Sequence, residues 1–190
     1  MSKRGAAAEE TRRRIVDAAL ELHTARGIAA TRWEDIAARA GVGVGTVYRH
    51  FPSLDELVPA CGRVAMGLLA LPAPAEAPAL FDGAGDVDGR VERLVATVFA
   101  LYERAGPVVR ATLGEPNVHP EVARGAAEIH ATLDALVDAA LGPLEAGADA
   151  RRVTRAMIDV ATWSALREQG LGSDEAVAEV TAMLACRLRG

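Results

Sequence analysis

The sequence predicts an all-α protein, with a three-helix domain containing a helix-turn-helix at the N-terminus and a helical bundle after it. Three observations carry this. Apolar residues make up 51% of the chain and aromatics only 4%, so the apolar mass is mainly Ala, Leu and Val, of which Ala and Leu are strong helix formers. No stretch alternates cleanly with period two, as a half-buried strand does. Gly and Pro residues fall where helices of ordinary length start and stop. At 190 residues the chain suffices for one or two small domains with a real core.

The elements follow in order. Residues 1–8 read as a loose basic arm. A first helix runs from about Glu9 to Arg26, with Ile15, Ala18, Ala19 and Leu22 on one face, and Gly27 is a natural stop. A second opens at Thr31-Arg32-Trp33-Glu34, a capping-box pattern in which Thr31 and Glu34 satisfy each other's amides. Its buried face is Trp33, Ile36, Ala37 and Ala40, and Gly41 permits a left-handed turn. A short third helix places Val44, Val47, Tyr48 and Phe51 at spacings 0, 3, 4 and 7, turned wholly or partly inward, and Pro52 ends it. Ser53 to Glu56 is a second capping-box pattern, opening a fourth helix to about Leu71 that Pro59 should kink. Residues 72–86, rich in Pro, Ala and Gly, read as a linker or mobile loop. Further helices are expected at about 87–105, 107–114, 120–141, 149–169 and 173–189, with stops at Gly142-Pro143 and Gly170-Leu171-Gly172.

Charge is divided unevenly. The formal net charge is −5, but residues 1–52 carry +3 and the remainder −8. That asymmetry suggests a basic contact module on an acidic body. Cys61 and Cys186 stand in no metal-ligand spacing and read as small hydrophobes in a reducing cytoplasm. No signal peptide is visible at the N-terminus. The most apolar stretch, Val64 to Leu71, is too short to span a bilayer, so no membrane partner is expected.

The second and third helices carry the functional pattern. Ala37 lets the two helices approach, Gly41 turns the chain four positions later, and Val47 anchors the second of them six positions on. This is helix-turn-helix spacing, in which the second helix lies in the major groove of DNA. It leaves Gly43, Gly45, Thr46, Arg49 and His50 facing outward. From Arg13 to Leu57 the sequence resembles the TetR family of regulators. The matching stretches are Ile15-Val16-Asp17-Ala18-Ala19, Gly27 to Thr31, Ile36-Ala37, Ala40-Gly41-Val42 and, most diagnostic, Gly45-Thr46-Val47-Tyr48-Arg49-His50-Phe51 with Pro52-Ser53 and Glu56-Leu57.

The resemblance implies a DNA-binding domain over 1–52 and an effector-binding and dimerisation domain over 53–190. It implies phosphate contacts from Thr31 and Arg32. Gly43, Val44, Gly45 and Thr46 would lie at the groove-facing end of the recognition helix, and Tyr48 and His50 against phosphate or base edge. Arg49 is the outward side chain able to read guanine with two hydrogen bonds. Leu54 stands where the family usually has Lys, which removes one phosphate contact. Gly43 and Gly45 supply no side chains, so either the backbone approaches DNA closely there or fewer bases are read directly. Arg12, Arg13 and Arg14, with Lys3 and Arg4, either track the DNA backbone or solubilise a helix.

Beyond the matched region the resemblance implies a small-molecule effector and a homodimer on a two-fold symmetric operator, acting mostly as a repressor in the cytoplasm. Phe99, Tyr102, Leu113, Asn117, His119, His130, Met157 and Trp163 mark a region for the effector, each being more often core or surface than ligand contact. Scarce charge among them suggests a mainly apolar effector. Two stripes, Val153, Met157, Val160, Ser164 and Val177, Val180, Leu184, Leu188, read as a dimer interface; in a monomer they would be core. An enzyme is disfavoured. A di-metal bundle needs Glu-x-x-His, whereas Leu20, Val47, Pro116 and Ala127 precede the four histidines by three. No phosphate loop, nucleophile elbow or zinc pattern occurs either, so neither metal nor cofactor is expected. The alternative to a regulator is a helical small-molecule sensor or carrier with little or no DNA binding.

Overall fold

The structure, a computed structural model, describes residues 3–189, the side chains of Lys3 and Arg4 excepted. Among these residues the regular structure is all helical, without a strand. Nine α-helices run in order: α1 Lys3–Arg26, α2 Trp33–Ala40, α3 Val44–His50, α4 Leu54–Leu69, α5 Val87–Gly114, α6 Pro120–Leu141, α7 Ala148–Met157, α8 Val160–Glu168 and α9 Ser173–Arg189. They form two compact units, one of residues 1–68 and 110–126, the other of 69–109 and 127–190. The first unit therefore reaches beyond residue 52, taking in α4 and the turn between α5 and α6.

In the first unit Ile15, Val16, Ala18 and Ala19 of α1 meet Ile36, Ala37 and Ala40 of α2, Val47 and Phe51 after the turn, and Leu57, Ala60 and Cys61 of α4. These are the apolar positions the helical periodicity selects, and their burial closes a small core. Helix α1 starts at Lys3, so residues 5–8 are helical rather than a loose arm; three consecutive alanines favour this. The two capping-box patterns are not realised. Arg32, not Thr31, is the N-cap of α2, without a side-chain bond, because the Thr31 hydroxyl donates to the Gly27 carbonyl at 2.7 Å. At α4 the Ser53 carbonyl accepts from the Glu56 and Leu57 amides.

The second unit corrects three expectations. Residues 72–86 are no loose linker: Pro74–Phe81 is a 3-10 helix with Ala77 and Phe81 buried. Arg90 fastens it, donating to the Ala139 and Ala140 carbonyls at 2.6 and 2.8 Å while its guanidinium lies over the Phe81 ring. Arg93 adds a bond to the Asp82 carbonyl at 2.8 Å. The span from Leu54 to Phe81 has the length and hydropathy of a membrane-crossing helix, but it is not one helix. Helix α4 ends at Leu69, Ala70 turns left-handed at φ 43°, and prolines follow. The two helices expected at 87–105 and 107–114 join as α5 across a break at Ala105 (φ −142°, ψ 20°), two residues before Pro107. The helix expected over 149–169 is instead two, because Asp159 leaves helical geometry and accepts from the Ala161 amide at 3.0 Å as N-cap of α8. Aspartate is a good cap and a poor interior residue.

Candidate nucleic-acid interface

The reading element is built from the turn outward. Gly41 adopts φ 66°, ψ 41° and its amide bonds back to the Ala38 carbonyl, as a left-handed helix stop requires. Arg14 of α1 clamps the same turn. Its guanidinium donates to the carbonyls of Ala40 and Gly41, the groups a helix end leaves unpaired. Val47 and Phe51 are fully buried and anchor α3. Trp33 of α2 is half-buried against the core and stacks on Tyr48 of α3, ring centres 5.1 Å apart, which fixes the two helices side by side.

Around that anchor, Arg32, Gly43, Val44, Gly45, Tyr48 and Arg49 are exposed, while Thr31, Thr46 and His50 are partly buried. Val44 and Tyr48, expected to turn wholly or partly inward, turn only partly so, exposing 38% and 44% of their surface. Seven residues give α3 barely two turns, and Val47 with Phe51 takes all of its inward face. A Cβ added at Gly43 or Gly45 would meet nothing within 4 Å, so nothing within the chain demands glycine at either place.

The arginines divide into two groups. Arg12 donates to the His50 carbonyl at 3.1 Å and lies over the Phe51 ring, 4.1 Å from its centre. Arg13 pairs with Glu10, Arg26 with Asp35 and Arg39 with Glu21, and Arg14 holds the turn. Of the arginines read as either tracking the DNA backbone or solubilising a helix, Arg12, Arg13 and Arg14 are all bonded within the chain, and the side chains of Lys3 and Arg4 lie outside the described residues. Among described residues 5–52, Arg32 has no side-chain partner in the chain, and Arg49 has only the Thr46 hydroxyl at 3.5 Å. The cations left for an external anion are the two at the start of α2 and on α3.

The expected effector residues do not form one group. Phe99, Tyr102 and Trp163 are buried together in the second unit, with ring centres 6.3 Å apart for the first pair and 5.8 Å for the second. The Tyr102 hydroxyl donates to the Ile158 carbonyl at 3.0 Å, and burial pushes its pKa up. The Trp163 indole N–H is buried without a partner. His130 is exposed on an open groove of about 910 Å³ with Asp134, Asp138, Arg151 and Arg155, and Met157 is half-buried. Leu113 and Asn117 belong to the first unit. His119 caps α6: its Nδ1 accepts from the Glu121 amide at 3.1 Å, so Nε2 carries the proton and donates to Asp55 at 3.1 Å.

The dimer stripes divide likewise. Val160, Val180 and Leu184 are buried within the chain, which removes them from the surface open to a second copy. Val153 is exposed, and Met157, Ser164, Val177 and Leu188 are half-buried. Met183, absent from the expected stripes, exposes 47% of its surface on α9.

The fold of α1 to α3, with exposed arginines at the N-cap of α2 and on α3, defines a helix-turn-helix. Residues 15–61 match the bacterial regulatory proteins of the tetR family. The regulator SrpR of Pseudomonas putida is 48% identical over 58 residues, 30% of this chain and 27% of that protein. The repressor LfrR of Mycolicibacterium smegmatis is 35% identical over 119 residues, 62% of this chain and 58% of that protein. A structure of LfrR from Mycobacterium smegmatis in complex with proflavine superposes with a TM-score of 0.57 at 29% identity, covering 92% of this chain and 95% of that one. The sequence match spans under a third of SrpR and well under two-thirds of LfrR. The likeness to the TetR family of transcriptional regulators is carried by the N-terminal helix-turn-helix region.

Proposed function

We propose that the chain is a repressor that binds a two-fold symmetric DNA operator as a homodimer in the cytoplasm and is released by a small, mainly apolar effector. The observation that carries the reading is the placement of Arg32 and Arg49. Both are exposed and unneutralised, one at the start of α2 and one on α3, while every other described arginine of the first 52 residues is engaged inside the chain. A helix-turn-helix needs such a pair, one cation on phosphate and one on a base edge. Thr31 and Arg32 would then touch phosphate, Arg49 would read guanine, and Gly43, Val44, Gly45, Thr46, Tyr48 and His50 would line the groove.

The effector reading is supported by the buried Phe99–Tyr102–Trp163 cluster. The unpartnered Trp163 N–H asks for an acceptor, and LfrR is described with proflavine bound. The homodimer reading is supported by the apolar groups that α7, α8 and α9 leave uncovered, Val153 and Met183 foremost. The test is a competition experiment. Proflavine added to the protein–DNA complex should free the duplex and quench Trp163 fluorescence in a Trp33→Phe background. Quenching without DNA release would favour a sensor or carrier over a repressor.

A further inference from the structure

We propose that Glu115 is a positioning residue for DNA reading: it holds the turn between α1 and α2 in the form that presents Thr31 and Arg32 to the phosphate backbone. The inference rests on the DNA-reading role above and adds to it a residue outside the helix-turn-helix.

Glu115 directly follows α5 and packs within the first unit. Its Oε2 accepts from the Ile28 amide at 2.6 Å, a short bond of the charge-assisted kind. Its Oε1 occupies the space a side chain at Gly27 would need: a Cβ there would stand 2.5 Å away. Gly27 also sits at φ +92°, so two independent constraints exclude a side chain at that position. The turn then passes the restraint on. The Thr31 amide donates to the Ile28 carbonyl at 3.1 Å, the Thr31 hydroxyl to the Gly27 carbonyl at 2.7 Å, and the Arg32 carbonyl accepts from Ile36 to begin α2. Two hydrogen bonds in series, Ile28 to Glu115 and Thr31 to Ile28, thus link the carboxylate to Thr31.

The restraint matters because α2 begins without a side-chain cap. An N-terminus of this kind takes its direction from whatever holds the preceding turn, and that is Glu115. The Glu115 backbone is held on both sides. Its N–H donates to the Ala111 carbonyl, its carbonyl accepts from the Val118 amide, and four residues on His119 pairs with Asp55 at the start of α4. Beneath the turn His23 is buried and neutral, its Nε2 unpartnered, so it supplies no competing bond. The Arg32 side chain makes no described hydrogen bond or ion pair with Glu115 or with any other residue. A coupling between the two therefore runs through the position of the turn or through the carboxylate's field, and the uncharged Glu115→Gln separates these.

The experiment is a double-mutant cycle on the full chain, with a duplex selected by the unaltered protein. Glu115→Ala should weaken binding about tenfold, the scale of one charge-assisted hydrogen bond. Glu115→Gln, which keeps an acceptor for Ile28, should recover most of the affinity. Combined with Arg32→Ala, Glu115→Ala should cost much less than the product of the two single losses, because Arg32 is no longer there to be misplaced. Unfolding free energies of the same variants should simply add. Should Glu115→Ala fold poorly, Glu115→Asp, one methylene shorter, serves in the same cycle. Unchanged affinity in Glu115→Ala, or single losses that multiply in the double variant, would overturn the positioning role alone. A wild-type chain that binds no duplex would overturn the DNA reading and this proposal together.

Discussion

Arginine has two separate uses in the first unit, as an internal bond to carbonyls and carboxylates and as an exposed cation. Arg12 and Arg14 reach backbone carbonyls 38 and 26 residues away, whereas Arg32 and Arg49 stay free on the surface. Arg49→Ala should relax or abolish operator preference, and Arg32→Ala should weaken all duplexes alike and lower the salt slope by about one unit; titrations at two ionic strengths separate the two. Gly45→Ala should raise stability by about 0.5–1 kcal/mol, since its Cβ meets nothing and glycine is a poor helix residue. If the α3 backbone lies against DNA, the same change weakens operator binding, so unfolding curves and binding isotherms should move in opposite directions. Burial pushes the His23 pKa down to about 4 from its ordinary 6.5. The unfolded chain therefore takes up the proton first, and stability falls as the pH drops from about 6.5 towards 4, by up to about 1.36 kcal/mol per pH unit. His23→Leu should remove that part of the slope, measured by urea unfolding at pH 5 and pH 7. The buried anchors of α2 and α3 were legible from helical spacing, but which arginines remain free was not. Their partners are carbonyls and carboxylates that only the folded chain brings near.

Helices whose identity is set locally match their sequence patterns closely. The α2–Gly41–α3 unit was legible because its turn, its spacing and its anchors Val47 and Phe51 lie within fifteen residues. The same holds for α6, which begins at Pro120 and ends at Leu141 as the pattern requires. Elements decided by a choice between two local options were not legible. Asp159 could sit inside a long helix or cap a new one, and packing of Ile158 and Val160 into the core selects the break. Asp159→Ala should cost about 1 kcal/mol in urea unfolding, the usual value of an N-cap. The 3-10 helix at Pro74–Phe81 was hidden for a different reason. Its composition is that of a loop, and its order comes from Arg90 and Arg93 on another helix. Thr31 illustrates the same competition on a smaller scale, its hydroxyl being taken by the Gly27 carbonyl instead of the α2 amides.

For the whole molecule, a stripe of apolar residues on a helix has the same pattern whether it faces its own core or a second chain. Hence Val180 and Leu184, read as interface, lie in the core, while Met183 beside them stays uncovered. Met183→Glu should separate a homodimer without unfolding the chain, seen as a fall in sedimentation coefficient at unchanged helical content. A dimer that persists would place the interface on another face. Whether this chain reads DNA through α2 and α3 is decided by selection of binding sites from a random duplex pool with the purified protein. Selection should enrich a two-fold symmetric site whose affinity falls steeply with salt, with half-sites about 34–36 Å apart or a multiple of that. A folded chain that enriches no sequence at either of two salt concentrations would contradict DNA reading through α2 and α3.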